Sequence, residues 1–240
     1  MHIAGKTGED WIAEANNCLR ERFIRCAGGA NPASTFIKPN LHASEAEYFV
    51  RGLENRIFWI DDEGYVQSSV LRLSRKSTRN KILSLFWHRT GRRYLFREGV
   101  CQISTMAALT LKYGCPLDQI HMEPTFPDWP EHSWAVDILL KSRQGSNVAF
   151  CEVKRDDHEL NELICGFRHC CKAGSHAKNE CKFRKNHPKY SSCVDIKPDY
   201  FMAVSPGREF CCFQLSYSGH FIATADVPLS SVVSKLQSSI

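Results

Sequence analysis

Apolar residues recur at helical spacing in two long stretches of the first half of the chain. From Gly8 to Ile24 they lie three or four positions apart, which predicts an amphipathic helix with Asp10 as its candidate cap. From Gly99 to Tyr113 a similar pattern predicts a second helix, and Gly114 followed by Pro116 is a typical C-terminal stop. Each helix is expected to bury one face.

The segment between these helices carries shorter signals. Arg56–Ile60 and Tyr65–Gln67 flank a polar loop, which predicts a β-hairpin. Thr78–Trp87 is basic and amphipathic and predicts a short helix. Gly28–Pro32 predicts a break in regular structure.

The second half of the chain favours a sheet. Trp134–Leu140 and the almost wholly apolar Val148–Val153 predict two strands joined by a turn through Gly145. An amphipathic helix is predicted next, and then strands and a closing helix, at Asp156–Cys171, Tyr200–Val204, Phe210–Leu215, His220–Thr224 and Pro228–Leu236. The predicted order from Gly99 onward is helix, strand, strand, helix, strand, strand, so the expected fold class is α/β, with a mixed α+β sheet.

Composition narrows the classes of protein that fit this pattern. The chain has 240 residues, of which 43% are hydrophobic and 24% charged, which suits one sizeable domain or a core with an extension. The N-terminal segment has no apolar core of a signal peptide, and no apolar run has the length of a membrane span. Together these features make the twelve cysteines more typical of reduced thiols than of a disulfide scaffold, and they predict a cytoplasmic protein without a membrane partner.

Basic residues are concentrated in two blocks. Nine basic and no acidic residues occur from Arg72 to Arg97, and seven basic residues with only Glu180 as an acidic one occur from Arg168 to Lys189. Such blocks favour a polyanionic partner, most commonly nucleic acid, although two solvated faces are the alternative. The candidate phosphate contacts are Arg92, Arg93, Lys172, Lys178, Lys182, Arg184, Lys185 and Lys189.

The candidate chemistry lies on the two adjacent strands. Glu152 and Lys154 are two positions apart and therefore share a face, and the turn brings Asp137 opposite them. Two carboxylates with the backbone carbonyl of Val153 between them form an oxygen-rich site that suits Mg²⁺ or Mn²⁺. Such an ion polarises a phosphoryl oxygen and lowers the pKa of bound water.

Asp137 within Trp134–Leu140, followed by the triplet Glu152-Val153-Lys154, resembles the PD-(D/E)XK nuclease superfamily over roughly residues 98–215. The resemblance implies a restriction-endonuclease-like core, with helices flanking a central mixed sheet. It implies that Asp137 and Glu152 hold the metal and that Lys154 assists the attacking water. The expected activity is metal-dependent hydrolysis of phosphodiester bonds in DNA, with double-stranded DNA as the expected partner. Restriction, phage defence, DNA uptake and transposition fit this activity equally well.

The chain departs from this pattern at Val136, where the family often has proline before the aspartate. Many members also place a glutamate on the preceding helix, for which Glu98 is the best candidate and Glu123 the other. The expected division is an accessory, basic region at 1–92 and a nuclease core at 93–240. The alternative function is an inactive nucleic-acid-binding module that keeps the fold. The expected protein partners are a second copy of the chain or the other members of a larger DNA-processing complex.

Histidine and cysteine residues crowd the second basic block and offer alternative chemistry. Four of the cysteines and histidines among His169, Cys170, Cys171, His176, Cys181, His187 and Cys193 would make a structural Zn²⁺ site, but their spacing matches no standard finger, and an irregular basic insertion with reduced thiols is the alternative. A thiol hydrolase is disfavoured because His169 and its neighbouring cysteines face different ways on a helix.

Two further groups of residues are candidates for roles at the site or in binding. Gln102, His158 and Asn161 are candidates for the active site but are more typical of surface or capping positions. Aromatic residues beside basic ones in the first half suit either base stacking or a core, namely Trp59, Tyr65, Trp87 and Tyr94.

Overall fold

The computed structural model describes residues 5–27, 36–68, 81–89, 92–124, 126, 128, 132, 136–174 and 177–238, with the backbone alone at 81–83, 87–89 and 92–93. The helices are α1 (Gly8–Ala27), α2 (Ala43–Glu54), α3 (Arg97–Leu111), α4 (Asp157–Ala173), α5 (His187–Ile196) and α6 (Leu229–Gln237). The strands are β1 (Trp59–Ile60), β2 (Tyr65–Gln67), β3 (Lys81–Ser84), β4 (Phe86–Arg89), β5 (Arg92–Leu95), β6 (Ile120–Met122), β7 (Ile138–Lys141), β8 (Asn147–Val153), β9 (Tyr200–Val204), β10 (Cys211–Ser218) and β11 (Phe221–Val227).

A six-stranded mixed sheet organises the second half of the chain. Its order is β11-β10-β9-β8-β7-β6, and every neighbouring pair is antiparallel except β8 and β9. That parallel pair needs a long connection, and the chain supplies α4 and α5 between the two strands. β8 is therefore a central strand, which explains its nearly continuous apolar sequence.

Helices cover both faces of this sheet. One apolar cluster contains α1, α2, α3 and α6 with alternate β8 residues such as Cys151 and Val153. The other contains α4 and α5 with Phe150, and includes Phe167 and Phe201, whose rings stack 4.0 Å apart. The fold is thus mixed α/β, with a sheet flanked by helices.

The N-terminal helices are set by local capping and by an apolar stripe. Thr7 caps α1 and exchanges hydrogen bonds with Asp10, so Asp10 is the reciprocating member of the cap and not the cap itself. α2 begins with a similar box in which Glu45 accepts the backbone N–H of His42. Both helices join the same apolar cluster as α3, so residues on either side of position 92 share one core.

The prediction of a helix at 78–87 is wrong for the residues that the structure describes. Residues 81–84 form β3, which pairs with β2, and residues 86–89 form β4, which pairs with β5. Leu85 lies between them, fully buried, and its N–H donates to the carbonyl of Gly64. Pairing with β2 and β5 decided the outcome, because the local apolar pattern fits either element.

Most other predicted elements agree with the structure within a few residues. The strand at 200–204 and the helices at 8–27, 97–111, 157–173 and 229–237 all have predicted counterparts. α2, β5, β6 and α5 are not among the predicted elements, so the chain from α3 onward has one strand, β6, and one helix, α5, beyond the individual elements predicted there. β7 begins at Ile138, so Asp137, which was predicted to lie within the strand Trp134–Leu140, instead immediately precedes it. Gly28–Pro32 lies outside the described residues.

Candidate active site

The adjoining ends of β7 and β8 bring the predicted acidic residues together. Asp137 immediately precedes β7, and Ile138 pairs with Cys151, so Asp137 lies level with Glu152 on the neighbouring strand. The carboxylate of Asp137 accepts the backbone N–H of Val153 through Oδ2 at 2.7 Å. This bond ties the first acidic residue to the middle of the Glu152-Val153-Lys154 triplet.

Glu152 and Lys154 lie side by side at the end of β8. Lys154 Nζ donates to Glu152 Oε2 at 2.8 Å, as the two-residue spacing on a strand predicts. The Glu152 side chain is only 2% exposed, and its Oε1 is buried with no hydrogen-bond partner among the described residues. A buried carboxylate oxygen of this kind is costly unless a cation satisfies it.

A second ammonium group approaches Glu152 from the helical layer. Lys189, in the first turn of α5, places its Nζ 3.7 Å from Glu152 Oε2 and is mostly buried. The sequence placed Lys189 among the candidate phosphate contacts, and the structure places it beside Glu152. α5 is the element that brings Lys189 here, and it was not predicted.

Asp137 sits in an environment that opposes its ionisation. Burial, followed by the negative charge of Glu152, raises the pKa of Asp137 well above its usual range. The cation of Lys154 and the N–H of Val153 act in the opposite direction without cancelling the effect. Two neighbouring carboxylates in such a setting gain from a shared cation.

Gln102 is buried at the site and is not the surface residue that its sequence context favoured. It lies on α3, and its Nε2 donates to Asp137 Oδ1 at 2.8 Å and to Glu123 Oε1 at 3.4 Å. Its own Oε1 is buried without a hydrogen-bond partner among the described residues. A detectable signal was its spacing of four from Glu98, which puts both residues on one face of α3.

Both candidates for the helix glutamate lie near Asp137. Glu98, in the first turn of α3, adds negative charge that raises the pKa of both Asp137 and Lys154. Glu123 directly follows β6, and its N–H donates to the carbonyl of Asp137 at 2.7 Å. Its φ of 46° is uncommon outside glycine and holds the chain in a tight turn beside the site.

Lys154 is well placed to remain a cation. Burial is the largest single influence on the pKa of Lys154 and lowers it. The charges of Glu152 and Asp137 and the hydrogen bond to Glu152 together outweigh burial, so the pKa of Lys154 is raised above the usual range.

Glu98 borders an open groove of about 310 Å³, which Tyr94 and Arg155 help to line. The groove gives a route from solvent towards α3 and the start of α4.

The donor set at this site suits a hard divalent cation. Asp137 and Glu152 offer carboxylate oxygens, and Glu152 Oε1 has spare capacity. Oxygen ligands are those that Mg²⁺ and Mn²⁺ prefer. The residues present therefore fit such an ion, with the carbonyl of Val153 as the predicted third donor.

The predicted phosphate contacts of the second half share one segment. Their side chains are exposed on the last turn of α4 and the α4–α5 connection (residues 174–186), namely Lys172, Lys178, Lys182, Arg184 and Lys185. Arg92 and Arg93 lie in β5, where only the backbone is described. His158 and Asn161 are exposed on α4.

The same connection brings three of the seven candidate zinc ligands together. The ligand atoms of Cys170, Cys181 and His187 lie within 4.8 Å of one another, and all three residues are buried. Burial, with a smaller contribution from Cys181, raises the pKa of Cys170 to about 12. His176 lies outside the described residues, and His169 instead packs its exposed ring against Phe183.

A serine, a histidine and an aspartate also form a chain of contacts near α5. Ser192 Oγ lies 3.2 Å from His132 Nδ1, and His132 Nε2 lies 2.6 Å from Asp195 Oδ2. Ser192 is fully buried and donates to the carbonyl of Pro188, so its hydroxyl has no access to a substrate. These contacts hold His132 against α5.

Comparison of the chain with family models, with curated proteins and with solved structures gives no match. Within the described residues, no helix has the length and apolar character needed to cross a bilayer. The functional argument therefore depends on the geometry of the site.

Proposed function

We propose that this protein is a metal-dependent nuclease that hydrolyses phosphodiester bonds in DNA. The observation that carries the proposal is the convergence of Asp137, Glu152 and Lys154 at the adjoining ends of β7 and β8. The PD-(D/E)XK nucleases, which the sequence resembles, use this set of residue types for metal binding and hydrolysis. A sheet flanked by helices is compatible with their core.

Asp137, Glu152 and the carbonyl of Val153 would hold the ion, which when bound neutralises charge on the phosphoryl group and lowers the pKa of water. Two features of the chain support this assignment: the raised pKa of Asp137 and the unsatisfied Oε1 of Glu152. Gln102 keeps Asp137 oriented from the α3 side. The absence of a sulfur or imidazole donor among these contacts favours Mg²⁺ or Mn²⁺ over softer ions.

Hydrolysis forms a bond from a water oxygen to phosphorus and breaks the bond to the leaving sugar oxygen, and negative charge builds up on the phosphoryl group. Lys154 remains protonated, so it suits stabilisation of that charge better than removal of a proton from water. Lys189 adds a second positive charge on the α5 side of Glu152.

DNA is the proposed substrate because exposed cations lead to this site. The α4–α5 connection carries exposed basic side chains and runs directly into the first turn of α5, which supplies Lys189. A polyanion held along the connection would therefore lie beside Glu152. Such binding releases counterions and depends steeply on salt.

The test is cleavage of supercoiled plasmid in Mg²⁺ or Mn²⁺ by the wild type, the Asp137→Asn variant and the Asp118→Asn control, in which an exposed aspartate is replaced. Asparagine at 137 can accept the Val153 N–H, and a flipped Gln102 can offer its free Oε1, so the fold should persist. We expect cleavage to fall on the order of a hundredfold or more in Asp137→Asn alone.

Two outcomes would count against the proposal. Equal cleavage by wild type and Asp137→Asn would show that the site is elsewhere. A wild type that shifts DNA in a gel but leaves every DNA and RNA substrate intact with either metal would identify a binding module that has kept the fold.

A further inference from the structure

Three soft ligand atoms converge in the interior between α4 and α5, on residues that the proposed nuclease chemistry does not use. Cys170 lies in the last turns of α4, Cys181 in the α4–α5 connection, and His187 is the first residue of α5. Their exposed fractions are 0%, 3% and 8%. Within the described residues, they form the one group of three or more metal-ligating side chains close enough to share an ion.

The distances between these atoms match the edges of a tetrahedral zinc site. Zinc bonds of about 2.3 Å to sulfur and about 2.0 Å to nitrogen place two sulfurs about 3.8 Å apart and a sulfur and a nitrogen about 3.5 Å apart. Here the Sγ atoms of Cys170 and Cys181 are 3.5 Å apart, and Cys170 Sγ is 3.8 Å from His187 Nδ1. Each of these two separations is within a few tenths of an ångström of the zinc-site value, and all three ligand atoms lie within 4.8 Å of one another.

A backbone hydrogen bond also prepares Cys181 to be a ligand. The N–H of Phe183, two residues further on, donates to Cys181 Sγ at 3.4 Å. A donor to sulfur stabilises the thiolate form, which is the form that binds metal. Simple apolar packing of a thiol has no need of this contact.

Charge balance allows the complete cluster to be buried. Two thiolates and one Zn²⁺ sum to zero, and binding releases the two thiol protons to solvent. The Sγ–Sγ separation of 3.5 Å is well beyond the length of a disulfide bond, about 2.05 Å, so neither cysteine is part of a disulfide.

We propose that Cys170, Cys181 and His187 bind a structural Zn²⁺ ion that fastens the α4–α5 connection to the two helices. The connection already packs on α4, where Asn186 Nδ2 donates to the carbonyl of Glu162 and Phe183 lies against Gly166. His187 is two residues from Lys189, so the ion also fixes the turn that brings Lys189 to Glu152. The proposal does not depend on the nuclease activity.

The first test uses wild-type protein purified with a non-thiol reductant and without chelator. Elemental analysis should give about one zinc per chain after gel filtration. Exchange for Co²⁺ should give the visible bands of a tetrahedral ion and the near-ultraviolet charge-transfer absorption of thiolate ligands. X-ray absorption at the zinc edge should show two sulfur scatterers and at least one imidazole.

Variants identify the ligands. Cys170→Ser, Cys181→Ser and His187→Ala should each lose most of the zinc, whereas Cys171→Ser and Cys165→Ser, a buried and an exposed cysteine on the same helix, should keep it. Asp137→Asn should also keep its zinc, which separates this site from the proposed catalytic one. Thermal unfolding of the wild type should shift upward with the logarithm of the free zinc concentration.

The proposal is wrong if the wild type retains no zinc after exposure to it and Co²⁺ produces no thiolate charge-transfer absorption. It is equally wrong if the double variant Cys170→Ser/Cys181→Ser binds zinc as the wild type does. A Cys170–Cys181 disulfide in freshly purified protein would also overturn it. The first and third results are obtained on wild-type protein, so misfolding of a variant does not obscure the answer.

Discussion

Replacement of Lys154 by methionine offers a measure of how firmly Glu152 depends on its cations. Lys154 Nζ is 2.8 Å from Glu152 Oε2, the Glu152 side chain is 2% exposed, and that of Lys154 is 14% exposed. Methionine keeps most of the side-chain volume but removes the charge. Lys189 Nζ, at 3.7 Å, then remains as a cation beside Glu152 Oε2, and it lies farther from that oxygen than Lys154 Nζ does.

The expected loss follows from the burial of the pair. Removal of one partner of a buried ion pair costs about 3–5 kcal/mol, and the remaining Lys189 places this case near the lower limit, about 3 kcal/mol. For a chain of this size, such a loss lowers Tm by roughly 6–12 °C. In the double variant Glu152→Gln/Lys154→Met the buried carboxylate is gone and only Lys189, whose side chain is 19% exposed, loses an ion-pair partner, so most of the stability should return.

The assay is urea denaturation in EDTA, so that divalent ions bound at the site do not contribute. Wild type, both single variants and the double variant form a thermodynamic cycle, and Lys178→Met, at an exposed lysine of the α4–α5 connection, is the control with a change under about 0.5 kcal/mol. A loss below about 1 kcal/mol in Lys154→Met, typical of a solvent-exposed pair, would refute the reasoning. So would a double variant no more stable than Lys154→Met.

Three further predictions concern pH, packing and salt. Hydrogen bonds from Ser205 and Arg208 lower the pKa of Asp157, so its contribution to stability is present above the unfolded pKa of about 3.9 and is lost as pH falls through the lower folded value. Asp157→Asn should therefore reduce the dependence of the free energy of unfolding on pH in the acid range. An unchanged pH dependence would contradict this. Gly52→Ala should lower the free energy of unfolding, measured by urea denaturation, by about 1–2 kcal/mol. The added Cβ would lie 2.4 Å from the buried ring of Phe58, and this overpacking outweighs the gain of about 1 kcal/mol in helix propensity. A stabilised variant would show that the Phe58 ring moves to make room. The exposed cations of the α4–α5 connection are Lys178, Lys182, Arg184 and Lys185. If they contact phosphates, a combined alanine variant should show a shallower plot of log binding constant for DNA against log salt concentration, with the slope reduced by about 0.9 for each cation removed. An unchanged slope would exclude these contacts.

The elements that the sequence predicted well are those whose burial is visible locally. β8 is a continuous apolar run, and α4 carries its apolar residues at helical spacing, so either pattern indicates its own structure. β3 and β4 were predicted as a helix because their apolar residues suit both elements, and only pairing with β2 and β5 selects strands. β6, three residues with a histidine in the middle, is too short to give a pattern.

In the candidate site, too, the sequence predicts the residues placed by local spacing and not those placed by helix packing. Spacing of two on a strand and a turn of ordinary length were enough to place Asp137 beside Glu152 and Lys154. Gln102 and Lys189 reach the site from α3 and α5, and their positions depend on how those helices pack on the sheet. The Cys170, Cys181 and His187 cluster has no standard spacing because an irregular connection folds back to form it.

The single parallel pairing in the sheet also affects the order in which the chain can fold. Ala149 pairs with Tyr200, about fifty positions further along, whereas β10 and β11 pair through a tight turn. Contacts between residues so far apart in sequence form slowly, because closing the long loop costs entropy. The β10–β11 hairpin can therefore form long before β8 pairs with β9. The N–H of Lys154 donates to the carbonyl of Val204, so the strand end that bears Glu152 and Lys154 is completed only when this slow closure occurs. Nascent or partly folded chains would therefore contain the acidic and basic residues of the site without its assembled geometry.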